Sequence, residues 1–290
     1  MTFGRILALF MLIVIGVYLF VTAPPPLPES DAANVKGAKI GVTRMFQTIN
    51  AVNMLTRKLY TERIVGAGQL AGFQFGEDWK QDGVEAGPLP ALFLRLVAEK
   101  LQQKKPLLGL FLGSDKPINP SNLFAGRQQS EFAEIRASGK PRFFAMPDGS
   151  RVAMFPDVAS AAPCVSCHNK HKDTPKKDWK LNDIMGAATW VYQGDQVSRD
   201  EYRLLMANLY AAIEESYGDY LRKAAAFKIP PGIGADWPTK GKRVLPDSKT
   251  MMDAVYAATS RVALTELLTP DTPKNDTPNK GAPKQQEASR

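Results

Sequence analysis

Arg142–Phe155 reads RFFAMPDGSRVAMF. Two short runs of aromatic and apolar residues flank Pro147-Asp148-Gly149-Ser150, and that tetrapeptide has the chemistry of a reversing turn. Proline presets one φ, aspartate bonds backbone two residues on, and glycine accepts a positive φ. The stretch predicts a β-hairpin, Arg142–Met146 against Arg151–Phe155, and with it an antiparallel sheet.

Working upstream, Gly126–Ser138 predicts a helix and Leu107–Leu112 (LLGLFL) a buried strand between turn signals. Leu89, Leu92, Phe93, Leu96, Val97 and Leu101 form an apolar stripe on a second helix, with Pro90 suited to its first turn. Val42, Met45, Phe46, Ile49, Val52 and Leu59 recur at helical spacing, so a long amphipathic helix is expected over 40–68, ended by Gly66 and Gly68. Downstream, Ala187–Tyr192 (AATWVY) predicts a further strand. Helices before and between strands of an antiparallel sheet describe an α+β domain over 40–194.

Beyond it, Ser198 and Glu201 have the offset of a capping box. They open a helical extension over 195–269, whose last helix runs from Ser248 to Leu268, with a Gly- and Pro-rich loop around Trp237 between the helices. Residues 270–290 are polar without an apolar period and read as a disordered tail.

At the other end, Ile6–Ala23 carries no charge, and Arg5 precedes it with no further basic residue before Lys36. Residues 1–23 therefore read as a single transmembrane anchor, and 24–39 as a proline-rich spacer. The charge bias leaves the bulk of the chain outside, in the periplasm of a bacterium with its helix in the inner membrane. Val21-Thr22-Ala23 also has the small residues of a signal cleavage site, although Pro24, Pro25 and Pro26 disfavour the cut. The body is exported on either reading.

The chemistry concentrates just past the hairpin. Cys164-Val165-Ser166-Cys167-His168 (CVSCH) contains both cysteines of the chain and one of its 2 histidines. A disulfide across so short a loop would constrain little of the unfolded chain, and a thioredoxin-like redox motif expects a βαβ context that is missing here. Two thiols three residues apart can instead add to the two vinyl groups of a haem, and the next imidazole then ligates the iron. Cys164 and Cys167 are thus assigned as thioether attachments of one covalent haem c and His168 as the proximal ligand. With both histidines committed nearby and the thiols alkylated, no hydrolytic triad can be assembled, and the chain does not read as an enzyme.

Tyr60–Val65 (YTERIV), Lys116–Pro120 (KPINP), the hairpin, and CVSCHNKHKDTPKKDWKLNDIMGAATWVY together resemble the c-type haem sensor domain known as DUF3365 or Tll0287-like, over residues 40–194. The run from Cys164 to Gly186 is the most specific part and is similar to versions at the N-termini of membrane-bound adenylate cyclases. The resemblance implies a PAS-like antiparallel sheet, a covalent haem, and a signalling or redox role outside the cytoplasmic membrane. No cyclase, kinase or chemotaxis output follows, so a signal is expected to pass to a partner protein.

The distal ligand is open. Met54 is the first choice, because it lies on the long helix before Tyr60, a region from which some family members supply a ligand. Met45, Met146 and Met154 are rivals, each equally a core filler. An empty sixth position, accessible to a gas, is the other reading. His171 lies too close to His168 to reach the opposite ring face and more simply orders its loop. Lys170, Lys172, Lys176, Lys177 and Lys180 beside the motif could form a basic rim for an acidic redox partner, or a solvated loop. Tyr60, Trp179 and Trp190 are candidates to wall the haem. A net charge of +8 fits an acidic partner or an anionic membrane, and no nucleic-acid motif is present. Pairing with a second copy through 198–268 is a further reading. The expected function is a membrane-anchored periplasmic monohaem protein that senses redox state or a small ligand through a partner. The alternatives are an electron-transfer cytochrome subunit of a larger membrane complex and, less simply, a peroxidase.

Overall fold

A computed structural model describes residues 39–268 and isolated positions between residues 4 and 18. Apart from those positions, the expected anchor, the spacer up to residue 38 and the tail lie outside the described residues. Among the described residues no helix is long and apolar enough to cross a membrane.

The chain enters through β1 (Lys39–Gly41) and α1 (Val42–Leu59), which continues through a π-helical segment, Tyr60–Gly66, into α2 (Ala67–Leu70). Then come β2 (Gln74–Gly76), β3 (Ala86–Pro88), α3 (Pro90–Leu101), β4 (Gly109–Gly113) and α4 (Gly126–Ser138). The hairpin β5 (Arg142–Ala145) and β6 (Ser150–Val158) leads to α5 (Ala162–Lys170), β7 (Ile184–Gln193) and β8 (Gln196–Ser198). The chain closes with α6 (Arg199–Ala225), β9 (Gly232–Gly234), β10 (Val244–Pro246) and α7 (Ser248–Leu268).

The hairpin forms for the reasons its sequence gives. Gly149 takes φ +83°, and the Asp148 carboxylate accepts from the Ser150 amide at 2.9 Å. It builds half of a four-stranded antiparallel sheet ordered β4-β7-β6-β5. Register puts Phe143 opposite Ala153, Ala153 opposite Trp190 and Phe155 opposite Ala188, so these residues share one face. Helix α1 covers that face, and the Trp190 indole N–H donates to Asn50 Oδ1 at 3.1 Å. On the other face Phe132 and Ile135 of α4 pack with Phe144, Val152, Met154 and Ala187. Helix, sheet and helix layers make the α+β architecture.

Residues beyond 195 share the main core. Tyr202, Leu205, Leu209 and Ile213 of α6 and Met251 and Val255 of α7 lie buried in one cluster with Met45, Phe46, Ile49 and Val52 of α1. Strand β8 also pairs with β1. At the start of α6, Ser198 Oγ accepts from the Glu201 amide at 3.1 Å, while the Glu201 carboxylate accepts from the Tyr192 hydroxyl at 2.7 Å. Ser198→Ala should therefore cost about 0.5–2 kcal/mol of unfolding free energy in a urea titration; no change would mean the serine does not cap.

Gly66 and Gly68 do not end the first helix, as expected from sequence; both keep right-handed helical backbone. Gly68 serves close approach instead: a Cβ there would stand 3.1 Å from the Phe75 ring. The chain reverses at Gly72, φ +86°. The stretch 74–88 carries the short parallel pair β2 and β3.

Candidate functional site: the helix after the hairpin

Strand β6 ends at Val158 and the chain turns directly into α5. Pro163 sits in its first turn, where no intrahelical amide bond is lost. On a helix, positions i, i+3 and i+4 lie on one face, so Cys164, Cys167 and His168 project together. Both cysteines are free thiols, Cys164 half-buried and Cys167 exposed. Cys164 and Val165 pack against a small apolar cluster of Ala159, Trp179 and Met185.

The electrostatics suit a neutral ligand. Burial lowers the pKa of the His168 imidazole, with Arg57 and His171 acting the same way against the raising effect of Asp157 and Glu77. A neutral ring keeps a lone pair for a metal. Burial, then Glu77 and Cys164, raise the Cys167 thiol. A nucleophilic or disulfide-exchanging pair needs the opposite tuning, so this environment argues against the redox-motif reading.

Three sets of contacts hold the helix in place. The Asn169 side chain donates to the Trp179 carbonyl at 2.9 Å and accepts from the Trp179 amide at 2.9 Å. The Trp179 ring carries the Arg136 guanidinium 5.4 Å from its centroid and the Lys176 ammonium at 4.8 Å, and Arg136 bonds Asp115 at 2.7 Å. The Ala159 amide donates to the Asp183 carbonyl at 2.9 Å, and the Asn182 amide to the Ala159 carbonyl at 3.0 Å. The loop after the motif is thereby folded back against α5.

On the side of α1, Arg57 Nη1 meets Asp157 Oδ1 at 2.6 Å, and both side chains are about a quarter exposed or less. The pair ties α1 to the end of β6 within the electrostatic reach of His168. Met54 lies one turn before Arg57 and is 37% exposed. Met45 and Met154 are fully buried in the cores on the two faces of the sheet, and Met146 packs partly against the second. Among these methionines Met54 alone is exposed and on the helix that borders His168. His171 is occupied: its Nδ1 accepts from the Asp173 amide at 3.2 Å, which leaves the ring proton on Nε2, 3.3 Å from Glu77 Oε2.

Of the three aromatic residues expected to wall a haem, only Trp179 reaches α5. Tyr60 is buried, stacked on Phe93 at 4.2 Å and bonded to the Pro88 carbonyl at 2.8 Å, and Trp190 belongs to the core under α1. The basic rim is partly neutralised, since Lys172 pairs with Asp173 at 3.8 Å and Lys176 with Asp178. A cleft of about 400 Å³ between α6 and α7, lined by Tyr202, Met206, Tyr210, Tyr256 and Leu264, takes no residue from α5. Arg57, Asp157 and Glu77 carry no sequence signal: each is an ordinary surface charge until tertiary structure brings it to the imidazole. Asn169 lies within the motif run, but only the fold shows its grip on Trp179.

The donor set, two free thiols and a neutral imidazole on one helix face, fits a covalently attached haem. A protein-family model described as Tll0287-like matches residues 36–191, just over half of the 290-residue chain, and the chain belongs to that family. No curated protein and no solved structure gives a significant match.

Proposed function

We propose that this Tll0287-like chain is a monohaem c-type protein of the periplasmic face of a bacterial inner membrane, held by a single N-terminal span. Through a PAS-like domain it would respond to redox state or a small ligand, and act through a partner protein. The observation that carries the reading is the common face of Cys164, Cys167 and His168 on α5, with both thiols free and the imidazole held neutral. Export is supported by the uncharged run Ile6–Ala23 behind Arg5, because covalent haem attachment belongs to that side of the membrane.

Cys164 and Cys167 would hold the haem through thioether bonds, and His168 would ligate its iron. When bound, the group supplies a one-electron couple. The protein's part is to fix and tune. Asn169 and Trp179 set the end of α5, Asp157 and Glu77 lend negative charge near the imidazole, and Arg57 offsets it. Met54 is the proposed distal ligand, on the ground of its exposure and its place one turn before Arg57.

A redox titration of the purified chain with and without carbon monoxide tests the role. A reduced spectrum that shifts on adding carbon monoxide would mark an accessible or displaceable sixth position and support ligand sensing. One reversible couple that carbon monoxide leaves untouched would favour redox sensing or simple electron transfer. The expected result with Met54 ligating is the second, becoming the first in Met54→Ala; carbon monoxide binding equal in both proteins would overturn the Met54 assignment.

A further inference from the structure

We infer that the loop Lys228–Gly234 is a membrane-docking tip that seats against an anionic bilayer surface, an assignment that takes the inner-membrane reading above as its setting and is independent of the haem. The segment reads KIPPGIG. Phe227 is 5% exposed and Pro231 is buried, whereas Ile229 is 68% and Ile233 43% exposed. Phe227 and Pro231 therefore pin the segment at two points, so the two isoleucines are presented by a held loop rather than by a frayed one. The loop is anchored at both ends: the Lys228 amide donates to the Glu85 carboxylate at 2.6 Å, and β9 pairs with β10.

Single exposed apolar residues are normal on a protein surface. Leu70, Leu107, Leu123, Leu181 and Leu204 are of that kind, each the single large one in its stretch. Here two large aliphatic side chains occupy one tip, beside the exposed Ala225 and Ala226. Such a pair costs free energy in water and gains it on entering a headgroup–acyl boundary.

The charges around the tip identify the surface it fits. Lys228 adjoins Ile229, and the turn carrying Lys240 and Lys242 lies beside Gly232, whose amide donates to the Arg243 carbonyl at 3.4 Å. Lys242 pairs with Asp236 at 2.6 Å, while the Lys228 and Lys240 side chains have no carboxylate partner among the described residues. Apolar tips flanked by unpaired lysines suit anionic lipid, to which each basic residue near the surface adds attraction.

The test uses the full chain reconstituted in phosphatidylglycerol nanodiscs, with tryptophan introduced singly as Ile229→Trp, Ile233→Trp or, as a control on another exposed surface, Leu264→Trp. An interfacial apolar group sits about 5–10 Å into the headgroup–acyl boundary, so brominated lipid should remove roughly half of the emission added at 229 and 233 and little of that added at 264. Lys228→Glu with Lys240→Glu should weaken the quenching. Equal quenching at all three sites, none at 229 and 233, or a chain that does not associate with the nanodiscs would overturn the inference. So would emission at 229 and 233 protected by an added acidic polypeptide, poly-L-glutamate, but not quenched by lipid; that result would assign the tip to a protein.

Discussion

Produced in cells that assemble c-type cytochromes, the chain is expected to carry one haem per polypeptide that survives denaturation and acid–acetone extraction. Cys164→Ser with Cys167→Ser should abolish that stable haem completely. The expectation rests on geometry rather than on the motif alone. One helix face carries both thiols and the imidazole, Cys167 is open to the approaching macrocycle, and no disulfide consumes either sulfur. Each single serine variant should keep one thioether and shift the pyridine haemochrome band, because one vinyl group then remains unsaturated. His168→Ala should retain a fraction of the covalent haem and lose the wild-type iron spectrum. The apolar cluster around Trp179 is separate from the main core, so circular dichroism of the double serine variant should stay close to wild type. Haem that extracts freely from the wild-type chain, or its absence together with two titratable thiols, would return Cys164 and Cys167 to the redox-pair reading.

What was legible in the sequence divides along physical lines. The grouping of two thiols and an imidazole on one helix was, because it is local: five consecutive residues contain both sulfurs and the ring. The hairpin and the start of α6 were legible for the same reason, their turn and cap residues acting within two or three positions of themselves. The charged surroundings of His168 were not, because Arg57 of α1 comes within its reach only through the 2.6 Å bond to Asp157, a hundred positions away. Helix α1 also hides its buried face: Asn50, Asn53 and Thr56 are 9%, 1% and 0% exposed, and polar residues at inward positions blur an apolar stripe. Gly66 and Gly68 misled because glycine is both a helix stop and a residue that a helix can carry on through, and at Gly68 only the neighbouring Phe75 ring shows which role it has. The packing of α6 and α7 into the core of α1 is a long-range choice that no local pattern encodes.

The largest loss of stability is expected at Trp190. Its ring is completely buried in β7, the strand hydrogen-bonded on both sides, by β4 and by β6. Its indole N–H reaches Asn50 of α1, so one side chain joins the sheet to the helix that covers it. Trp190→Ala removes a large apolar volume from a site walled by backbone on both strands, where collapse is restricted, and should cost about 3–5 kcal/mol in urea unfolding of the detergent-solubilised chain. Trp190→Phe separates the two contributions. It keeps most of the apolar contact but leaves the buried Asn50 acceptor without its donor, at a cost of about 1–3 kcal/mol. Adding Asn50→Ala to Trp190→Phe should then cost less than Asn50→Ala alone, since the bond it removes is already gone, and the cycle should show a coupling of about 0.5–1.5 kcal/mol. A Trp190→Ala loss below about 1 kcal/mol would mean that α1 is not fastened to the sheet at this point. The placement of Arg57 within reach of His168 would fall with it, because Arg57 rides on the same helix.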